Sequence, residues 1–135
     1  MPASLVLITV GVAAWLLKTE PETYGWGDLV RDGETTWDGV KNPAAKKNLR
    51  AMRPGDLLVI YHTGGERAAV GLGRGVRPGD PDPVICAREP LPRPVTLDSI
   101  KSSKAFKNSP LVRQGRLSVV PLDAGQLGEL GRLSG

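Results

Sequence analysis

The feature that most constrains the fold is the stretch from Leu57 to Arg77, in which two strand-forming runs flank a glycine turn. The first run, LLVIYH, is continuously apolar, which is typical of a strand at the centre of a sheet. Thr63 to Glu66 supplies a hairpin loop, and AAVGLGRGVR is the partner strand. Glycines alternate along this second strand at 71, 73 and 75, which indicates bends, bulges or the close approach of another group. The sequence therefore predicts a sheet with this hairpin at its centre.

Short strand-forming runs and short helix signals alternate along the rest of the chain. Further strand-forming runs lie at 14–18, 35–37, 84–88 and 116–120. Helix signals lie at 26–30, 43–52, 97–101 and from 124 onward, and the last three begin after the capping residues Asn42, Thr96 and Asp123. The segment PLPRP, residues 90–94, is too dense in proline for regular structure. The pattern predicts an α+β fold of about five to six short strands, curled into a small barrel with about three to four short peripheral helices.

Length, charge and the scarcity of cysteine and histidine narrow the class of protein. A chain of 135 residues is sufficient for a single domain. The formal net charge of +4 is compatible with a polyanionic partner. Cys86 is the only cysteine, which excludes an internal disulfide framework and favours a reducing, cytoplasmic location. His62 is the only histidine, so a multi-histidine metal cluster is excluded, and we predict neither a metal site nor a cofactor.

The apolar N-terminal segment requires a separate interpretation. Residues 5–17 are 13 mostly apolar residues, which is short of the roughly 20 that span a bilayer. No Lys or Arg precedes them, which argues against a secretory signal peptide. We therefore predict no membrane association, an apolar arm or upstream extension over residues 1–13, and a folded domain over residues 14–135.

Aromatic residues are few, and most lie beside polar groups in the first half of the chain. In WLLKTEP, residues 15–21, Lys18 and Thr19 end the first strand, where a donor and a hydroxyl can read the edge of a base; alternatively, Thr19 only shapes the turn before the proline. Trp37 precedes an Asp-Gly turn, so we expect its ring to be partly exposed. A base stacked on an indole gains about 1 to 3 kcal/mol. For Trp15, a place in the core is favoured over a place in an aromatic cage.

Basic residues form two groups. Five cations cluster around the helix predicted after Asn42, namely Lys41, Lys46, Lys47, Arg50 and Arg53. A second, smaller group consists of Arg113 and Arg116. Either group can contact phosphates without regard to base sequence. The alternative is that these side chains only form a solvated surface, because Lys and Arg usually lie outside.

Six segments, taken in order, closely resemble the EVE domain family. They are WLLKTEP, TTWDGVKNPAAKKNLRAMRPGD, IYHTG, AVGLGRGV, PRPVTLDSIK and LVRQGRLSVVPL. The resemblance covers about Trp15 to Leu130. It implies a PUA-like fold, which is a bent β-barrel with small helices around it, in the same superfamily as the YTH and ASCH domains.

The resemblance also implies a function: a non-catalytic module that binds DNA or RNA and reads an extruded, modified base in an aromatic pocket. The base would be a methylated or hydroxymethylated cytosine, or a methylated adenine. Trp37 would form the wall of the pocket, with Lys18 and Thr19 at its polar edge. The full set of implied ligand-binding residues is Trp15, Lys18, Thr19, Trp37, Asp38, Gly39, Val40, Asn42, Tyr61, His62, Thr63, Arg113, Gln114, Leu117 and Ser118. The expected phosphate contacts are Lys41, Lys46, Lys47, Arg50 and Arg116.

Two other functions stay open. ASCH relatives resemble small amidohydrolases acting on acylated nucleosides, in which case Lys18 with Glu20 or Glu66 would activate the nucleophile or transfer a proton. The arm over residues 1–13 could instead contact another protein, although we expect a monomer.

One departure from the family pattern concerns the fold. The region between Pro81 and Pro90 is shorter than in the family, so we expect the strand at 84–88 to be frayed.

Overall fold

A single mixed sheet organises the molecule. The computed structural model describes residues 13–79 and 82–135, so the predicted arm over residues 1–13 lies almost entirely outside the described residues. The described strands are β1 (Ala14–Thr19), β2 (Glu34–Thr36), β3 (Leu57–His62), β4 (Ala68–Arg77), β5 (Val84–Thr96) and β6 (Val119–Leu122). They form one sheet in the order β2-β5-β4-β3-β1-β6. The hairpin predicted from the sequence is at its centre.

The strand β3 lies between β1 and β4 and is the most buried part of the sheet. It pairs in parallel with β1, from Ala14 opposite Leu57 to Thr19 opposite His62. A parallel pair requires a crossover, and residues 20–56 provide it with three helices. On its other side β1 pairs antiparallel with β6. Both β1 and β3 therefore end at the same edge of the sheet, with polar residues at that edge.

The alternating glycines of β4 permit the close approach of other groups to the strand. A Cβ atom on Gly71 would lie 2.5 Å from the indole ring of Trp26. A Cβ on Gly73 would lie 2.5 Å from the carbonyl oxygen of Cys86, and one on Gly75 would lie 2.6 Å from that of Arg53. Register shifts accompany these positions in the pairing of β4 with β5. The sequence prediction of bulges and close approach is confirmed.

Short helices surround the sheet. They are α1 (Pro21–Tyr24), α2 (Trp26–Asp32), α3 (Pro43–Ala51), α4 (Leu97–Lys101), a 3-10 turn (Lys104–Phe106), α5 (Pro110–Arg113) and α6 (Ala124–Ser134). The three predicted capping residues all accept a backbone N–H: Asn42 from Ala45, Thr96 from Ser99, and Asp123 from Gln126. The α+β class and the curled, barrel-like sheet are confirmed, with more short helical segments in the described residues than the three to four predicted. In residues 13–79 and 82–135 no helix has the length and apolar character needed to cross a membrane.

Strand β5 corrects the prediction made for the proline-rich segment. It continues without interruption from Val84 to Thr96 and includes the PLPRP segment. The register of β5 jumps from Pro90 opposite Gly71 to Val95 opposite Ala69, so the two later prolines lie in a bulge where they remove no ladder hydrogen bond. The expected fraying at 84–88 is also wrong for the start of the strand, because residues 84–86 pair with both β2 and β4.

Candidate functional site

A cavity of about 650 Å³ opens where β1 ends, beside α1 and the segment that follows β2. We call it the larger cavity, to distinguish it from a smaller one of about 210 Å³ that Lys18 also lines. It is lined by Lys18, Thr19, Glu20, Thr23, Tyr24, Thr35, Thr36, Trp37, Asp38, Gly39, Val40, Lys41 and Ser118. Its residues come from three places along the chain, 18–24, 35–41 and 118. The backbone N–H of Lys18 donates to the carbonyl of Ser118 at 2.9 Å, and Tyr24 packs against Trp37.

Trp37 and Tyr24 are the two aromatic residues that line the larger cavity. Its backbone N–H donates to the carbonyl of Pro83 at 2.8 Å, which holds the residue directly after β2. Gly39 has φ of 79°, a left-handed conformation that turns the chain after Trp37. The side chain of Trp37 is only 7% exposed, because Tyr24 packs edge-on against it with ring centroids 6.4 Å apart. The indole is thus more buried than predicted, but it borders the cavity and is not sealed within the sheet.

The end of β1 forms a polar rim. The hydroxyl of Thr19 donates to the carbonyl of Tyr24 at 2.6 Å, so it does shape the turn, and its oxygen can still accept a hydrogen bond. The ammonium of Lys18 donates to the carbonyl of Gly115 at 3.0 Å and lies 5.9 Å from the centre of the Tyr61 ring. Burial lowers the pKa of Lys18 below its usual value. With one of its three hydrogens used, this ammonium can donate to a ligand.

The larger cavity has balanced charge. Its lining includes two cations, Lys18 and Lys41, and two carboxylates, Glu20 and Asp38. The remaining lining residues supply hydroxyls and the aromatic rings of Tyr24 and Trp37. Such a lining matches a neutral, flat ligand that offers both donors and acceptors better than it matches a free anion.

Two residues expected at the site are instead used by the framework. Trp15 donates its indole N–H to the buried carboxylate of Asp56 at 3.0 Å, and the same oxygen accepts the backbone N–H of Arg53. His62 accepts the backbone N–H of Trp26 on Nε2 at 2.9 Å. Its Nδ1 therefore carries the proton and donates to Glu66 at 2.8 Å. The structure does not place Trp15 or His62 against the larger cavity.

The other expected ligand-binding residues separate into those at the larger cavity and those elsewhere. Thr19, Asp38, Gly39, Val40 and Ser118 line it together with Trp37 and Lys18. Tyr61 and Thr63 line a smaller cavity of about 210 Å³, which also includes Lys18. Asn42 caps α3, Leu117 is buried, Gln114 is exposed, and Arg113 donates to the carbonyl of Lys107.

The expected phosphate contacts are all exposed, and one of them, Lys41, lines the larger cavity. Lys41 is part of its lining, and Lys46, Lys47 and Arg50 are exposed on α3. Two contacts fix the orientation of α3: Leu49 is buried, and the side-chain amide of Asn48 donates to the carbonyl of Val119 at 2.8 Å. Arg116 is exposed on the segment before β6. Their role in phosphate binding stays a prediction.

Several lining residues were not predicted from the sequence. Tyr24, Thr23, Thr35 and Thr36 all face the larger cavity. Tyr24 had a usable signal, since it is one of few aromatic residues and follows directly after the WLLKTEP segment. The threonines had none, because their place depends on how β2 lies relative to β1.

Of the two pairs named for the amidohydrolase alternative, Lys18 shares a cavity with Glu20 but not with Glu66. Across the described residues Lys18 forms no ion pair, and Glu66 is hydrogen-bonded to His62. Glu20 shares the larger cavity with Lys18 without contacting it as an ion pair. The described ranges also contain no group of three or more His, Cys, Asp or Glu side chains that could hold a metal ion.

Comparison with known proteins supplies independent findings. The family model of the EVE domain matches residues 13–130. Human thymocyte nuclear protein 1 is 34% identical over 80 residues, which is 50% of this chain and 36% of the human protein, so the chain spans about a third of that relative's length.

Solved structures are similar over nearly the whole chain. An NMR structure from Rhodopseudomonas palustris is 34% identical, covers 90% of this chain and 94% of its own, and has a TM-score of 0.81. The crystal structure of the human THYN1 protein in complex with DNA containing 5-methylcytosine is 25% identical, with coverages of 90% and 97% and a TM-score of 0.80. An ASCH protein from Zymomonas mobilis, at 16% identity and a TM-score of 0.53, shares the fold alone.

Proposed function

This chain belongs to the EVE domain family, and from that premise we propose that it binds nucleic acid by enclosing one extruded, modified base in the larger cavity. The main support for the proposal is the position of Trp37. It lines a cavity of about 650 Å³ whose lining has two cations and two carboxylates. A base that leaves the stack needs a flat apolar surface and polar groups at its hydrogen-bonding edge. The larger cavity offers both.

The chemistry of the lining is compatible with 5-methylcytosine. The exocyclic amine of cytosine donates and its ring nitrogen and carbonyl accept, so the base requires both kinds of partner. Asp38 and Thr19 can accept, while Lys18 can donate. The relative bound to DNA containing 5-methylcytosine supports the same choice. Hydroxymethylated cytosine and methylated adenine are the alternatives that the test must include.

Flanking phosphates provide affinity that does not depend on the base. Lys41 lies at the larger cavity, and Lys46, Lys47 and Arg50 continue the positive charge along α3. Neutralised phosphates release counterions, so binding should weaken as salt rises whatever base is present. We propose a non-catalytic domain: within the described residues Lys18 forms an ion pair with neither Glu20 nor Glu66, and Glu66 is hydrogen-bonded to His62. Its monomeric state and cytoplasmic location stay predictions.

The proposal is tested by titrating DNA that contains one 5-methylcytosine, one 5-hydroxymethylcytosine, one N6-methyladenine or only unmodified bases. We expect DNA with a modified cytosine to bind more tightly than DNA with only unmodified bases. Trp37→Ala should lose about 1 to 3 kcal/mol of binding free energy and most of the preference for the modified base. Asp38 is exposed, so Asp38→Asn tests the cavity without opening the core.

A control variant separates loss of the site from loss of stability. Trp15→Phe removes the hydrogen bond from the indole N–H to Asp56. Trp15 does not line the larger cavity, so the lining is unchanged. If Trp37→Ala and Asp38→Asn both keep the parent's preference among the four DNAs, the assignment of the cavity is wrong. An acylated cytidine incubated with the parent should stay intact, and its turnover would instead favour the amidohydrolase.

A further inference from the structure

The smaller cavity, of about 210 Å³, adjoins the larger one through a shared residue. Lys18 lines both. The walls of the smaller cavity come from the end of β3, the loop after it, α4 and α5. Part of its lining is apolar, formed by Leu97, Leu111 and Val112. The proposed function gives this cavity no role.

Every charged side chain that lines the smaller cavity is a cation. They are Lys18, Arg67 and Lys101, with no carboxylate among the lining residues. In the part of the chain that the structure describes, neither Arg67 nor Lys101 forms an ion pair. Three cations around one small space repel one another, and an anion placed among them relieves that repulsion.

Tyr61 adds a buried donor to the smaller cavity. The residue is 3% exposed, and among the described residues its hydroxyl has no hydrogen-bond partner. Every fully buried side-chain nitrogen or oxygen of the described structure has a partner, so this hydroxyl must open into the cavity that Tyr61 lines. Burial raises the pKa of Tyr61, which keeps the hydroxyl protonated and able to donate. Because the hydroxyl opens into the cavity, it can donate to a ligand bound there.

The backbone holds Arg67 at this position. Arg67 has φ of 46°, a left-handed conformation that is uncommon for residues other than glycine. Its carbonyl accepts the backbone N–H of Leu97 at 2.8 Å, which ties the loop after β3 to the start of α4. That contact brings Arg67 and Lys101 to the same cavity. The arrangement of the cations therefore depends on the fold and not only on surface composition.

We propose that the smaller cavity binds a phosphate group of the nucleic acid strand, next to the base held in the larger cavity. The lining supplies donors from Lys18, Arg67, Lys101 and the Tyr61 hydroxyl, and phosphate oxygens only accept. Because Lys18 lines both cavities, a base in one brings its own sugar and phosphate towards the other. The inference rests on the proposed function, and free phosphate is the other source of the same chemistry.

The experiment compares Arg67→Gln/Lys101→Gln with the parent and with Arg77→Gln/Arg88→Gln, which removes the same charge from exposed residues of β4 and β5. Three probes are used: DNA with one 5-methylcytosine, the same DNA with a neutral methylphosphonate at each flanking phosphate in turn, and free 5-methyl-2′-deoxycytidine. We expect the cavity variant to bind the DNA about tenfold more weakly, as for the removal of hydrogen bonds to charged groups. Its slope of log affinity against log salt should fall by about one more than that of the matched control.

The three probes separate the possible results. The free nucleoside should bind the cavity variant as it binds the parent. One methylphosphonate position should weaken the parent but add little to the loss in the cavity variant. Tyr61→Phe should weaken DNA binding severalfold without lowering the melting temperature, because its hydroxyl has no partner among the described residues to lose.

Other results would contradict this inference but leave the proposed function unaffected. Unchanged DNA affinity and salt slope in the cavity variant, with nucleoside binding intact, would do so. The inference would also be wrong if inorganic phosphate shifted the NMR amide signals of residues 61, 67 and 101 while no methylphosphonate position changed the affinity for DNA. The site would then bind free phosphate. If instead the nucleoside does not bind the parent and Trp37→Ala leaves DNA binding unchanged, the proposed function fails, and the methylphosphonate series still decides the smaller cavity.

Discussion

The two cavities at the end of β1 share Lys18 but differ in charge. The larger is lined by two cations, two carboxylates and the rings of Tyr24 and Trp37. The smaller is lined by three cations and the side chain of Tyr61. Under the proposed function the first lining matches a neutral base and the second matches a phosphate. Under that proposal, the chemistry of the lining, more than its volume, decides which ligand each cavity binds.

Lys18 offers the strongest test of this comparison, because its removal changes both cavities. We expect Lys18→Met to weaken binding of the modified DNA by about tenfold or more, since a charged donor is removed from a partly buried site. Binding of the free nucleoside should weaken too. If only DNA binding falls, the comparison is sharpened, because Lys18 then serves the smaller cavity alone.

The same residue predicts a pH dependence. Burial lowers the pKa of Lys18 from its usual value, so this ammonium loses its proton and its positive charge at a lower pH than an unburied lysine side chain would. Only the protonated form attracts a phosphate, so the affinity of the parent for DNA should decline as pH rises through the lowered pKa of Lys18. The profile is measured by fluorescence anisotropy at constant ionic strength. In Lys18→Met this early decline should be absent, and identical profiles for the two proteins would contradict the assignment.

Trp15 tests whether the framework is separate from the cavities. Trp15→Phe removes a buried hydrogen bond to Asp56, which keeps its contact with the backbone of Arg53. We expect a decrease of about 1 to 2 kcal/mol in the free energy of unfolding, measured by denaturant titration. The preference among modified DNAs should not change. A changed preference would mean that Trp15 acts on ligand choice, as the family resemblance implied.

The exposed cations of α3 give the smallest effect on the comparison. Lys47→Gln/Arg50→Gln removes two charges from the helix surface. We expect the slope of log affinity against log salt to fall by about one for each phosphate that the helix no longer neutralises, with the ratio of modified to unmodified DNA unchanged. Affinities measured at several salt concentrations provide the slope. An unchanged slope would restrict phosphate binding to other surfaces.

Much of the fold was predictable because its signals are local. The bounds of β3, β4 and α4 agree with the sequence prediction, as do the three helix caps. Continuous apolar runs, turn glycines and capping residues each act within a few neighbours along the chain. The course of β5 was not predictable, because a proline is tolerated only where the partner strand leaves its position unpaired, and that depends on β4.

The candidate site was predictable in part. Motif resemblance named Trp37, Lys18, Thr19 and Ser118, which the structure does bring to one cavity. It also named His62, which is held between the backbone of Trp26 and the carboxylate of Glu66. Nothing in the local sequence around His62 distinguishes a ligand contact from a framework contact. The partners that decide the matter lie on other elements.

Local patterns in the sequence were enough to predict the α+β class, the central hairpin, the helix caps and the aromatic and basic residues available for a binding site. Which of those residues line the same cavity depends on how the chain folds in three dimensions. The contacts that decide it join residues far apart along the chain, such as Trp15 with Asp56 across 41 positions and Lys18 with Gly115 across 97. Local propensity acts over a few residues, whereas a cavity is defined by the elements that the sheet brings side by side.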